Sequence, residues 1–202
     1  MRHLRPASSL WLALVVALWC SAPAEAHIIG GQAAGFLSGF EHPISGLDHV
    51  LAMVSVGIWG AQLGSPALWL LPVMFPVVMA LGGFLALIGI PLPGVEIGIA
   101  VSALVLGAAI LLQWRPSLTA ALFVVSVFAI FHGHAHGVEL PPGESGLIYS
   151  IGFVIGTGCL HLLGIGIGTV HRWGWGRTVL QGTGAAVAMG GLFFLWQAVA
   201  VS

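Results

Sequence analysis

The sequence predicts an all-α, polytopic membrane protein: a six-transmembrane-helix bundle left after removal of an N-terminal signal peptide. Three observations carry that expectation. Hydrophobic residues make up 58% of the 202 and charged residues only 5%, against a charged share of ~25% in soluble domains. Apolar stretches long enough to cross a ~30 Å hydrocarbon core as a helix recur along the chain. The segments between them are turn and breaker compositions. So little charge, five Arg and no Lys against six acids, also excludes a basic surface for nucleic acid. Two cysteines, Cys20 and Cys159, cannot form a disulfide framework.

Residues 1–26 read as an export signal. Arg2 and Arg5 precede an apolar run from Leu10 to Trp19, and Ala24-Glu25-Ala26 is a small-x-small cleavage pattern. A run of about ten apolar residues is half of what a span needs. Cleavage after Ala26 makes His27 the new terminus, with an amine and an imidazole on one residue. Residues 28–40, Gly-rich with Phe36 and Phe40, are too short to span and are expected at the outer interface or folded back. The transport domain, 27–202, then holds apolar stretches at about 44–62, 66–89, 95–113, 117–136, 146–168 and 178–200. Ser65-Pro66, Pro91-Leu92-Pro93-Gly94, Arg115-Pro116, Pro141-Pro142-Gly143 and Trp173-Gly174-Trp175-Gly176 separate them.

Charge orients the bundle. With the N-terminus exported, Arg115 falls in the third-to-fourth connection and Arg172 and Arg177 in the fifth-to-sixth, both cytoplasmic as the positive-inside rule asks. Glu96, Glu139 and Glu144 fall at the exported ends, and both termini face outward. Small residues foreshadow close helix packing, namely Gly152 and Gly156, then Gly164, Gly166 and Gly168, and Ala186 with Gly190.

Ionisable groups inside a membrane mark functional sites by default. The first cluster runs from Glu41 to His49 and contains His42, Asp48 and His49, with Met53 four residues beyond. On an unbroken helix His42 and His49 stand ~10.5 Å apart, too far for one ion. Either Pro43 and Gly46 break the helix and fold the two histidines toward one ion, or the two are successive stations. The second cluster, Phe131 to Glu139, holds His132 and His136 one helical turn apart, with His134 pointing elsewhere and Glu139 available as a ligand or as the group that fixes a tautomer. His161, preceded by Thr157 and Cys159, lies deep in the fifth span. Cys159 is expected as a small buried residue on another face, and His171, beside Arg172, as a solvated loop histidine. Imidazole, carboxylate and thioether are metal-ligand chemistries. The expected ligand set is His42, Asp48, His49, His132, His136, Glu139 and His161.

These motifs resemble the HupE/UreJ family of hydrogenase and urease accessory membrane proteins. The pattern His-Pro, Gly, Asp-His, Ala-Met stands at His42-Pro43, Gly46, Asp48-His49 and Ala52-Met53. The second, Phe-His-Gly followed by Ala-His-Gly and Glu, stands at Phe131 to Gly137 and Glu139, and Gly156-Thr157 with Leu160-His161 completes the match. The resemblance covers essentially the whole chain. It implies uptake of nickel, and in some members cobalt, across the bacterial inner membrane, for metalloenzymes such as hydrogenase or urease. No prosthetic cofactor is expected, the ion being cargo, and the partners are that ion and the lipid bilayer. An oligomeric state or a metalloenzyme-maturation partner is left open, as is the choice among nickel, cobalt and zinc. The competing reading keeps the metal and makes it catalytic, an intramembrane zinc-dependent hydrolase with Asp48 or Glu139 as base.

Overall fold

A computed structural model describes residues 32–139 and 145–201. The expected signal, its cleavage site, Cys20 and His27 lie outside the described residues, as does Glu144. Within them the chain is helical throughout: α1 (Gln32–Ser45), α2 (Leu47–Leu63), α3 (Ala67–Leu87), α4 (Val95–Leu111), α5 (Leu118–Val138), α6 (Gly146–Gly168), a 3-10 turn (Thr169–Arg172) and α7 (Gly176–Val201). The described residues contain no strand.

Helix boundaries follow local chemistry. Gly94 takes a left-handed conformation (φ 69°) at the start of α4, which costs a glycine least. The Ser117 hydroxyl accepts from the Ala120 N–H at 3.3 Å and caps α5. Exposed His171 donates from Nδ1 to the Gly168 carbonyl at 2.7 Å, satisfying an end of α6.

By length and hydropathy α3, α5, α6 with its 3-10 turn, and α7 can each cross a bilayer, and α1 with α2 forms a fifth candidate bent by 82°. At 17 residues α4 is a shorter apolar helix. Helices therefore occupy all the expected apolar stretches. The difference lies at the start: part of the 28–40 segment joins the first histidine cluster in one helix, α1, which ends beside Gly46.

Burial repeats with helical period. In α3, Ala67, Leu71, Phe75, Met79 and Gly82 are buried, while Trp69, Val73, Val77, Leu81 and Phe84 are exposed on the opposite stripe. That exposed stripe suits acyl chains. In α2, residues 55 to 62 are buried without a break, so this helix is the centre of the bundle.

Glycines set the pair distances. A Cβ on Gly152 or Gly156 would strike the backbone of α1 at Phe36 and Phe40, and one on Gly164 would strike α2 at Val54 and Gly57. One long helix, α6, thus carries α1 along its N-terminal half and α2 along its C-terminal half. Gly133 and Gly137 abut Met79 and Gly83, so α5 and α3 run parallel. Gly184 and Gly191 of α7 meet Leu111 and Leu104 of α4, an antiparallel pair. Packing by Gly152, Gly156, Gly164 and Gly168 agrees with expectation. Gly166 does not: it faces open space, because it lies on the exposed side of α6. Ala186 is exposed too, whereas Gly190 is buried against Leu51 of α2 as expected, and Gly184 and Gly191 add packing against α4.

Candidate metal site

The break at Gly46 builds the site. Its backbone is extended (φ −95°, ψ 115°), and a Cβ there would stand 2.9 Å from Asp48 Oδ1 and 3.2 Å from His49 Nδ1. Glycine therefore both ends α1 and leaves room for the acid and imidazole that follow. Irregular backbone at membrane depth is tolerated where it lines a polar cavity. Here it does: His42, Ser45, Gly46, Asp48, His49, Glu96, Ile99, Ala135, His136 and Glu139 surround a pocket of about 250 Å³.

From the mouth inward the imidazoles form a row. His42 and His136 have ring centroids 4.8 Å apart, His136 and His49 4.5 Å, and His49 and His132 4.7 Å. The row runs from half-buried His42 through buried His136 and His49 to fully buried His132. The bend brings His42 and His49 onto the same ring, His136. His132 and His136 share a face of α5 as their spacing asks, and His49 sits in contact with both. The glycine after each of them, Gly133 and Gly137, faces α3 instead, so the repeat alternates a ligand-type side chain with a packing position.

Hydrogen bonds assign the tautomers. His42 Nε2–H donates to Glu139 Oε2 at 2.9 Å, and His49 Nδ1–H donates to Asp48 Oδ1 at 3.0 Å. The Ser102 hydroxyl gives its proton to the Ile99 carbonyl at 2.6 Å, so its oxygen accepts from His132 Nε2–H at 2.8 Å. What is left over is consistent. His49 Nε2, His132 Nδ1 and both nitrogens of His136 are buried without a hydrogen-bond partner. One ring nitrogen pinned by an acceptor, with the other lone pair open, is the arrangement of metal-ligating histidine. Donor atoms of His42, His136 and Glu139 all lie within 4.8 Å of one another. The His136 imidazole, with Nδ1 3.7 Å from Glu139 Oε2, and the hydrogen-bonded His42 hold the Glu139 carboxyl well below the usual carboxylate range.

His161 is buried but stands apart. Its ring packs against Phe75 at 5.6 Å, and Phe75 packs against His132 at 5.5 Å. His134 points away from the row, as expected, donating from Nε2 to the Ile90 carbonyl at 2.9 Å. Met53 is in the apolar core, outside the pocket lining. Cys159 is exposed rather than buried, since residues 157 and 161 occupy the inward face of α6. Ser102, Phe75, Glu96 and Phe153, whose ring lies 4.3 Å from that of His136, were not singled out as site residues from sequence. A lone hydroxyl mid-way along apolar α4 was the available signal for Ser102. Glu96, an acid in the first turn of the same helix, was the other.

A lipid-compatible exterior around an ionisable interior defines a multi-pass membrane protein. The chain belongs to the HupE/UreJ family, described as HupE / UreJ protein, which matches residues 14–194. It is similar to Protein HupE of Rhizobium leguminosarum bv. viciae, 44% identical over 172 residues that cover 85% of this chain and 90% of that relative. No solved structure matches.

Proposed function

We propose that this protein takes up a divalent transition-metal ion, nickel with cobalt as the second candidate, across the bacterial inner membrane to supply enzymes such as hydrogenase or urease. The observation that carries the reading is the row of imidazoles whose lone pairs stay open while Asp48, Ser102 and Glu139 pin their other nitrogens. A row leading inward from a mouth suits passage better than a single catalytic zinc centre. His42, His136 and Glu139, beside Asp48 and Glu96, capture the ion. His49 and His132 pass it inward, each exchange weak enough to allow release.

In this reading six spans follow a signal cleaved after Ala26, and both termini are periplasmic. Supporting it, α4 and α7 pair antiparallel with Leu111 beside Gly184, and the Trp59 indole reaches the Trp114 carbonyl at 3.0 Å. Arg115 and Arg177 therefore share the end opposite Glu139, as the positive-inside rule asks of a cytoplasmic face. N-terminal sequencing of the mature protein should begin at His27.

The test is entry of radioactive nickel into proteoliposomes, with cobalt and zinc as competitors, comparing wild type with His49→Ala and His132→Ala. Uptake should collapse in both variants. Undiminished uptake in both would sink this reading.

A further inference from the structure

His161 is 2% exposed in α6, and the outer row does not use it. Its Nδ1 lies 3.1 Å from the carbonyl oxygen of Pro72 in α3. A carbonyl only accepts, so Nδ1 carries the proton. That carbonyl is available for a reason written in the sequence. In a regular helix the amide four residues on would take it, and that residue is Pro76, which has no N–H. The proton on the neutral ring is thereby placed, and the lone pair is left on Nε2. This atom is buried with no hydrogen-bond partner. One turn earlier on the same face of α6, Thr157 is fully buried and its hydroxyl is likewise without a partner. A buried threonine hydroxyl in a helix ordinarily turns back to the carbonyl of the preceding turn. This one does not.

The pattern repeats that of His49 and His132, one nitrogen pinned and the other open, but on the far side of the Phe75 ring. We propose that His161 Nε2, with the Thr157 hydroxyl, forms a separate inner station for a divalent transition-metal ion. Pro76 is the positioning residue that selects the tautomer presenting that lone pair. The proposal rests on the uptake reading above and adds to it a second binding position and the device that sets it. The alternative role for His161 is a tie between α6 and α3 with no ion involved.

The two roles use different nitrogens, so isosteres separate them. Asparagine at 161 can keep a donor near the Nδ1 position for Pro72 and has nothing at Nε2. Glutamine carries a donor atom to the Nε2 position and gives up the tie. Full-length protein in proteoliposomes, with radioactive nickel as probe, should lose uptake at least tenfold in His161→Asn while its melting temperature stays near wild type. His161→Gln should retain more uptake than His161→Asn. Wild-type uptake in His161→Asn would reduce the residue to a tie and overturn the station. Pro76 is tested without transport, by ¹⁵N NMR of histidine-labelled protein in nanodiscs, with His161 assigned by its loss in His161→Gln. Wild type should show a protonated Nδ1 and an unprotonated Nε2 at this residue, and Pro76→Ala, by returning an amide to the Pro72 carbonyl, should mix the tautomers. A wild-type Nε2–H tautomer, or an unchanged spectrum in Pro76→Ala, overturns the positioning role. Loss of uptake in His49→Ala beside full uptake in His161→Asn leaves capture standing and removes only the inner station. No nickel entry in wild type removes both.

Discussion

In the proposed orientation, the outer half of the bundle, which holds the imidazole row, and the inner half solve opposite problems with the same small residue. In the outer half, Gly46 stops α1 at an 82° bend and clears space around Asp48 and His49. In the inner half, Gly57 and Gly164 press α2 against α6 so closely that neither tolerates a Cβ. There the tryptophans Trp59 and Trp114 stack at 5.6 Å. Gly46 opens the first region where the helix breaks, while glycines within regular helices close the second. Polar side chains gather where the backbone breaks, because a break supplies both room and unpaired backbone groups. Where helices stay regular, contact is backbone on backbone, and the buried polar side chains, Ser55, Gln62, Thr157 and His161, are spread out rather than gathered in one pocket.

The largest loss of function is expected from His49→Ala. It deletes the imidazole touching both His132 and His136, and nickel uptake should fall by two orders of magnitude or more (roughly 3 kcal/mol), measured with radioactive ion in chelator-buffered medium. A smaller effect is expected from the closed half. Gly164→Leu forces a side chain into Val54 and Gly57, and should cost about 1–3 kcal/mol of stability by overpacking, read as a lowered melting temperature in detergent. If Gly164→Leu melts like wild type, the inner half is not sealed by backbone contact.

Much of this contrast was legible in the sequence and part of it was not. Scarcity of charge and the spacing of breakers locate every described helix after α1. His132 and His136 share a face because their spacing of four is a helical turn. The convergence of His42 and His49 was legible only as one of two alternatives, since Pro43 and Gly46 announce a break without its angle. Nothing local could show that His49 enters between His132 and His136, because that contact joins residues more than eighty apart. Gly166 misled for a related reason. Small residues at regular spacing mark a packing stripe, but which stripe meets a neighbour depends on the neighbour.

Two smaller tests sharpen the comparison. Ser102→Ala removes the oxygen that holds the His132 Nε2 proton, and uptake should drop about tenfold, the lower end of what loss of an orienting partner costs. Melting should change little, and an unaltered uptake rate would mean that the tautomer of His132 is set elsewhere. Trp59→Phe, in the inner half, loses the indole bond to the Trp114 carbonyl. A loss of about 1 kcal/mol in stability is expected, with nickel uptake unaffected. A defect in uptake there would show the ion path running past the Trp59–Trp114 stack.

The position of Phe75 has a consequence for energy conservation. Imidazoles in contact relay protons readily, each taking one at one nitrogen and releasing another from the other. A row of them leading through a membrane is a wire that would short the gradient, worth about 2.3 kcal/mol per charge for every 100 mV. Phe75 touches the last ring of the outer row and the ring of His161, and offers no atom that takes or gives a proton. That single benzene ring interrupts the run of imidazole contacts between His132 and His161.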